Sequence, residues 1–170
     1  MTAQSRCNLI CYILVNLIIF TLTLWSRGDK MYQLRGHHLF CLVGFRGMGY
    51  SKEYIENMTY MHRNIRENPN TWIEIVDGPD QLCEKYPNSG KYHCEDQHIY
   101  KRDHEILEKL RLKIGQDVQW KEIEERIRRF VVPKDIQHIC QTCSWRSFGV
   151  CEEGIQDILD HKGLRKVEFK

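Results

Sequence analysis

The sequence predicts a single α+β domain that is mostly helical, with a small sheet and two cysteine-rich loops. Apolar residues recur at the three- and four-residue spacing of amphipathic helices in several segments. In contrast, the segment 72–76 has the aromatic and β-branched residues of a short strand. Cysteines also recur with the same outer spacing at 83–94 and 140–151. We assign the domain to residues 31–170, which are enough for one hydrophobic core.

The first half of this domain contains two predicted helices and one strand. The segment 34–43 places apolar residues on a helix, and the glycines within 44–49 end it. Ser51 is a good N-cap for a second helix, which keeps its apolar spacing up to an Asn-Pro pair. The strand at 72–76 ends in a turn at 77–80, which leads into the first cysteine loop.

The second half is predicted to be helical, with a final edge strand. Asp96 is a candidate cap for the first of these helices, on which Arg102 and Asp103 are interpreted as solvated or capping charges. Another short turn follows Pro133 and leads into the second cysteine stretch. The predicted elements are helices at 96–112, 121–131 and 152–161, and a strand at 167–169.

The overall charge does not favour a nucleic-acid surface. Lys and Arg total 25 against 23 Asp and Glu, so the formal net charge is only +2, and no basic run of five or more residues exists. The 8 cysteines indicate a different kind of function. In a reducing compartment, such cysteine usage indicates metal or redox chemistry more than disulfides.

The N-terminal extension, residues 1–30, contains an apolar stretch at 7–25 without a formal charge. This stretch is long enough to form a transmembrane helix, and no small-residue cleavage site follows it. We therefore expect a cytoplasmic domain that is anchored to the membrane if residues 1–30 are translated. Met31 is the alternative start, in which case the extension is absent. A membrane-tethered interaction module is one hypothesis that this segment supports.

The strongest functional signal is the array Cys140-x2-Cys143-x7-Cys151. Three thiols this close can surround one soft metal site, because the short gap lets two of them bind from a single turn. The earlier stretch from Cys83 to Cys94 has the same outer spacing, with Tyr86 at the position of the middle cysteine. We interpret the two stretches as copies of one loop, of which the first has lost a thiol.

Metal binding requires a fourth ligand, because zinc and iron–sulfur clusters each take four. Cys41, Cys83 and Cys94 are the candidates, and Cys83 with Cys94 and a histidine can build a second, poorer site. His37 and His38 can share a helical face with Cys41, and they are further candidate ligands. An iron–sulfur cluster is the first choice and structural zinc the second.

Two other interpretations of the thiols stay open. In the first, the protein is an enzyme in which Cys41 is the nucleophile and His37 or His38 the base, since an adjacent imidazole raises the thiolate fraction of a cysteine. In the second, the cysteines form a redox disulfide or structural bridges in an exported domain. A third point concerns the first choice, an iron–sulfur cluster. Such a cluster either exchanges electrons with a redox partner protein or only holds two loops together.

Several motifs together resemble one small prokaryotic family, the domain of unknown function 1284. They are Leu34-Arg-Gly-His-His-Leu-Phe-Cys-Leu42, Gly-Phe-Arg-Gly-Met-Gly-Tyr-Ser51, Asn57-Met58, Asp77-Gly-Pro-Asp80 with Cys83, Arg102-Asp103, and Cys140-x2-Cys-Ser-Trp145 to Cys151. The resemblance covers about Met31 to Lys170. It implies an iron–sulfur-binding protein without an established reaction, whose members begin close to Met31.

The first cysteine loop departs from the pattern of that family. The resemblance implies Cys-x2-Cys-Pro at this place, whereas this chain has Tyr86 before Pro87. A complete cluster on the first loop is therefore not expected. The ligands that the resemblance carries over most safely are Cys140, Cys143 and Cys151.

Overall fold

A computed structural model describes residues 31–87 and 94–167 of the chain. It confirms the α+β class, with a three-stranded sheet and six α-helices in these residues. The elements in chain order are β1 (Met31–Leu34), α1 (Gly36–Gly44), α2 (Lys52–Glu67), β2 (Trp72–Ile75), α3 (Gln97–Leu110), β3 (Asp117–Gln119), α4 (Trp120–Phe130), α5 (Asp135–Ile139) and α6 (Val150–Leu159). Two short 3-10 turns occur at Cys83–Lys85 and Arg146–Phe148.

The sheet has the order β1-β2-β3, and two of its strands differ from the prediction. β1 pairs with β2 in parallel, and β2 pairs with β3 in antiparallel orientation. Only β2 was predicted. Leu34, which was placed in a helical segment, is the last residue of β1 because its backbone pairs with Ile75. The chain continues after β1 into α1, which carries His37, His38 and Cys41.

The helices agree with the prediction apart from their ends. The Oγ atom of Ser51 accepts a hydrogen bond from the Tyr54 N–H at 3.1 Å and so caps α2 as expected. Asp96 stands at the N-cap of α3, but its side chain makes no capping hydrogen bond. The turn predicted after Pro133 contains the short helix α5. α6 begins before the predicted position, which places Cys151 in its first turn.

Two predicted segments lie wholly or mostly outside the described residues. None of the helices in residues 31–87 and 94–167 is long and apolar enough to cross a membrane. The stretch 7–25, on which the transmembrane prediction rests, falls outside these ranges. Of the edge strand predicted at 167–169, the structure describes Val167 alone, and this residue is not in a strand.

α1 packs against both α3 and α6, and three glycines make this close packing possible. A Cβ atom on Gly44 would lie 2.6 Å from the Cys151 Sγ atom. A Cβ atom on Gly36 would collide with the carbonyl oxygen of Asp103, and one on Gly154 with that of Val43. Real Cβ atoms do not approach other atoms this closely, so these contacts require glycine. α1 thus brings its side chains directly against the cysteine array.

The hydrophobic core lies between the sheet and the helices. It includes residues of the sheet, such as Leu34 and Ile73, and the wholly buried Trp120 at the start of α4. Cys140, Cys151 and Trp145 belong to the same cluster of buried residues. The side chains of these three residues are therefore packed into the core, whereas most residues between Cys140 and Cys151 are exposed, among them Phe148.

Candidate metal centre

A wholly buried arginine anchors the junction between β1 and α1. The Nε and Nη2 atoms of Arg35 lie 2.8 and 2.7 Å from the Oδ2 atom of Asp103 on α3. Its Nη1 atom donates to the Cys94 carbonyl oxygen at 2.6 Å and lies 3.8 Å from the Cys83 Sγ atom. Burying a charge is costly unless it is paired, and the carboxylate supplies that pairing. Arg35 thereby fixes the first cysteine stretch against the start of α1.

His37 and His38 are each held by a carboxylate at Nδ1. The Nδ1 atom of His37 lies 2.8 Å from the Asp103 Oδ1 atom, and that of His38 lies 2.7 Å from the Asp80 Oδ2 atom. An ionised carboxylate only accepts hydrogen bonds, so Nδ1 carries the proton and Nε2 is left with its lone pair when the ring is neutral. This arrangement orients an imidazole for metal binding through Nε2.

The two histidines differ in how readily they take up a proton. Burial, together with the charge of His38, lowers the pKa of His37 to about 4 despite its bond to Asp103. Burial also acts to lower the pKa of His38, but the charge and hydrogen bond of Asp80 outweigh it and raise the pKa. The pKa of Asp80 falls to about 2, because the His38 interactions outweigh the effect of burial.

Asp80 organises the first cysteine stretch through hydrogen bonds to the backbone. Its Oδ1 atom accepts from the N–H groups of Leu82 and Cys83 at 2.9 and 3.2 Å. Its Oδ2 atom accepts from the Arg35 N–H at 2.8 Å, in addition to its bond with His38. Both oxygens are therefore already engaged. Asp80 positions the groups around it, and Cys83 begins the 3-10 turn that follows.

Each of the six cysteines that the structure describes is free of a disulfide bond. Four of them form what we call the four-thiol group, Cys41 on α1, Cys140 and Cys143 after α5, and Cys151 on α6. Burial raises the pKa of Cys41 well above its usual range, and the nearby thiols of Cys143, Cys151 and Cys140 raise it further. The backbone holds the short gap closed, because the Cys143 N–H donates to the Cys140 carbonyl oxygen at 3.0 Å.

Two arginines lie near the four-thiol group. Burial raises the pKa of Cys140 to about 12, and the positive charge of Arg102 acts in the opposite direction. Burial and the neighbouring thiols also raise the pKa of Cys151, while Arg46 opposes them. Arg102 is 5% exposed and donates from Nη2 to the Thr142 hydroxyl. Its Nε atom has no hydrogen-bond partner among the described residues, and neither has that of Arg46.

The remaining donors form a second set, the His38–Cys83–Cys94 group. The Cys83 and Cys94 thiols are joined by a hydrogen bond, which is the main cause of the raised pKa of Cys83. The ligand atoms of His38, Asp80 and Cys83 all lie within 4.8 Å of one another. Within residues 31–87 and 94–167, no three sulfur atoms of the four-thiol group meet that spacing, and neither does the set of His38, Cys83 and Cys94.

A small cavity of about 30 Å³ lies between the two groups. It is lined by Cys41 and Cys143 from the first group and by His38, Cys83 and Cys94 from the second. A larger cavity of about 250 Å³ shares several lining residues with it, among them Tyr86, Arg102 and Cys143. All eight candidate ligands from the sequence therefore fall into or beside one region of the domain, with His37 also lining the small cavity.

Sequence reasoning missed the charged residues of this region. The interpretation of Arg102 and Asp103 as solvated or capping charges was wrong, because both are buried and bind groups around the thiols. Asp80 was treated only as part of a turn. The single signal in the sequence was the position of these charges next to cysteine and histidine motifs. Their partners are far away in sequence, as in the pairing of Arg35 with Asp103.

The geometry does not favour Cys41 as the nucleophile of an enzyme. A nucleophilic cysteine needs a lowered pKa and an adjacent base. The pKa of Cys41 is instead raised by burial and by the neighbouring thiols. His37 and His38 bind Asp103 and Asp80 through Nδ1, which leaves Nε2 of each ring as the only nitrogen that could serve as the base.

The fold and the site together define a candidate metal-binding α+β domain. The chain belongs to the family described as protein of unknown function (DUF1284), whose family model matches residues 49–149. Cys83, Cys94, Cys140 and Cys143 lie within the matched range, whereas Cys41 precedes it and Cys151 follows it. Neither a curated protein nor a solved structure matches the chain.

Proposed function

We propose that this chain is an iron–sulfur-binding protein whose cluster is held by Cys41, Cys140, Cys143 and Cys151. The observation that carries the proposal is the proximity of four cysteines without disulfide bonds from α1, from the segment after α5 and from α6. Cys41 and Cys143 line one cavity, and the Cys151 Sγ atom lies against Gly44 of α1. Iron–sulfur clusters are most often bound by four cysteine thiolates, so the donor set fits this group. The notable addition to the array is Cys41, which α1 supplies.

The spacing of the thiols favours a cluster over a single zinc ion. Zinc binds thiolates at about 2.3 Å in a tetrahedron, which places their sulfur atoms roughly 3.8 Å apart. In the described part of the chain, no three sulfur atoms of the four-thiol group lie within even 4.8 Å of one another. A cluster contains several metal ions and holds its thiolates farther apart. Structural zinc at the same thiols is the second candidate.

The charges around the thiols also support the proposal. Four thiolates would bring negative charge into a site where Cys140 and Cys151 are 6% and 5% exposed. The guanidinium group of Arg102 supplies positive charge near Cys140, and that of Arg46 supplies it near Cys151. An arginine with an unsatisfied buried Nε atom is costly in a neutral environment. A negatively charged centre next to it offsets that cost.

The chemistry that such a cluster supplies when bound is reversible electron transfer. The chain's own residues hold it, limit its contact with water and offset its charge. Cys41 and Cys143 are half-buried while Cys140 and Cys151 are buried, so a redox partner protein would approach from the side of Cys41 and Cys143. A cytoplasmic location is part of the same proposal, because cysteines without disulfide bonds are typical of a reducing compartment. A membrane anchor at residues 7–25 stays a prediction.

The test is metal analysis of the full-length chain purified without oxygen. We expect iron, acid-labile sulfide and a broad visible absorption band. Cys41→Ser and Cys140→Ser should each lose the band, whereas Cys83→Ser, the matched control from the other cysteine stretch, should keep it. Zinc without iron would favour the second candidate. A folded protein without metal, or equal loss of the band in Cys83→Ser, would contradict the assignment of the four thiols.

A further inference from the structure

The His38–Cys83–Cys94 group stands apart from the four-thiol group in its contacts. The main influences on the Cys83 thiol are Cys94, His38 and Asp80, whereas those on Cys41 are the three cysteines of the array. We propose that His38, Cys83 and Cys94 form a second, separate site for one divalent transition metal ion such as zinc, with one coordination position left open. Its three ligands are different from the four that hold the cluster, although residues of both groups line the cavity of about 30 Å³.

The first support is the orientation of His38. Its Nδ1 atom is 2.7 Å from the Asp80 carboxylate, so the Nε2 atom is the one left for a metal. Metal-bound histidines nearly always donate their other ring N–H to a carboxylate, a carbonyl group or water. Asp80 itself is a positioning residue rather than a ligand, because its two oxygens accept from three backbone N–H groups in addition to His38.

The second support is the position of the two thiols. Cys83 lies within 4.8 Å of the His38 and Asp80 ligand atoms, and its sulfur is hydrogen-bonded to Cys94. The Asp80 carboxylate fixes the backbone of Cys83, while Arg35 fixes that of Cys94. The backbone at both cysteines is therefore held in place by hydrogen bonds. His38 and Cys83 are therefore in position before a metal arrives, whereas the Cys94 Sγ atom lies outside the set of donors within 4.8 Å of one another and approaches the ion when it binds.

The third support is the charge balance. Metal binding requires each thiol to lose its proton to solvent, which gives two thiolates and one neutral imidazole. These donors carry two negative charges and neutralise a divalent ion. Arg35, whose Nη1 atom is 3.8 Å from the Cys83 Sγ atom, favours the thiolate form. Asp103 pairs with Arg35, so the arginine adds no net charge to the site.

His38, Cys83 and Cys94 all line the cavity of about 30 Å³, together with Tyr86, so an open coordination position would face this cavity. This volume exceeds the roughly 15 Å³ that one water molecule needs. The larger cavity of about 250 Å³ also includes Tyr86, with Arg102 and His98, and gives a small ligand space to approach. Zinc sites with three protein ligands and an open position bind water or substrate there. The ligand class is therefore water or a small anion.

The test uses cobalt(II) as the probe, because its visible spectrum reports tetrahedral thiolate ligation. The full-length Cys140→Ser/Cys143→Ser double variant keeps cobalt away from the four-thiol group. We expect it to bind one cobalt ion per chain with a tetrahedral spectrum. Adding Cys83→Ser or His38→Gln should abolish that spectrum. Absence of cobalt binding by the folded double variant, or an unchanged spectrum after Cys83→Ser, would overturn the proposal.

A gain-of-function variant guards against effects of misfolding. Tyr86 lines the same cavity as the three donors, so Tyr86→Cys adds a thiol beside the open position. It should tighten cobalt binding by at least about tenfold and add thiolate character to the spectrum. The control is Tyr60→Cys on the exposed surface of α2, which should leave both unchanged. Equal affinity in Tyr86→Cys and its parent would overturn the site. Iron and sulfide in the wild-type chain are measured separately, so a failure of the cluster proposal can be distinguished from a failure of the second metal site.

Discussion

His62 on α2 makes the stability of the domain depend on pH. The residue is 2% exposed, its ring lies 5.4 Å from that of Phe45, and its Nε2 atom has no hydrogen-bond partner among the described residues. Burial, followed by the charges of Arg66 and Arg46, lowers the pKa of His62 from 6.5 to about 4. The unfolded chain therefore binds a proton at this position at a higher pH than the folded chain does.

The magnitude follows from these two pKa values. A lowered pKa of a base means that its contribution to stability is fully present above pH 6.5 and is lost as the pH falls towards 4. Each pKa unit corresponds to about 1.4 kcal/mol. Between pH 8 and pH 5, His62 should thus remove about 2 kcal/mol from the free energy of unfolding.

The assay is urea unfolding of the wild-type chain and of His62→Leu at pH 8, 7, 6 and 5, in the same metal state. The leucine removes the titrating group and the unsatisfied Nε2 atom while keeping an apolar side chain of similar size. The wild type should lose about 2 kcal/mol more than His62→Leu across this range. Other titrating groups, such as His37, act equally in both proteins. Parallel pH profiles of the two proteins would refute the reasoning.

Two further predictions concern the packing around α1. Gly154→Ala should destabilise the fold by about 1–3 kcal/mol, because the added Cβ collides with the Val43 carbonyl oxygen. Thermal unfolding measures this effect. A melting temperature equal to that of the wild type would contradict the prediction. Asp103→Asn should cost about 3–5 kcal/mol, because it leaves the charge of Arg35 buried without its partner. Chemical denaturation measures this loss, and a loss below 1 kcal/mol would argue against a charged, buried pair. Gln156→Ala, on the exposed side of α6, is the control for both and should change stability by less than about 0.5 kcal/mol.

The parts of the fold that the sequence predicted are those with strong local signals. α2 was predicted from Ser51 and from its helical spacing, since both signals lie within one short segment. β1 and β3 have four and three residues, and no such pattern marks them. They are strands because β2 lies between them and supplies backbone partners to both. Pairing over such distances in sequence leaves little trace in the composition of a short strand.

The candidate site was predictable in its donors but not in their arrangement. Cysteine spacing identified the array, and the fourth ligand was left open between Cys41, Cys83 and Cys94. The structure places Cys41 with the array because α1 packs directly on α6, a contact that depends on Gly44 and Gly154. The carboxylate that holds His38 comes from Asp80, 42 residues away, and no local pattern connects the two.

Both proposed centres take a donor from α1, since His38 and Cys41 are three residues apart on this helix. Three residues correspond to about 4.5 Å along a helix axis. A shift of α1 by a single residue would therefore withdraw a ligand from each centre at once. Neither centre can be adjusted by moving this helix without disturbing the other. Insertions and deletions within Gly36–Gly44 should accordingly be far less tolerated than in the loop that follows it.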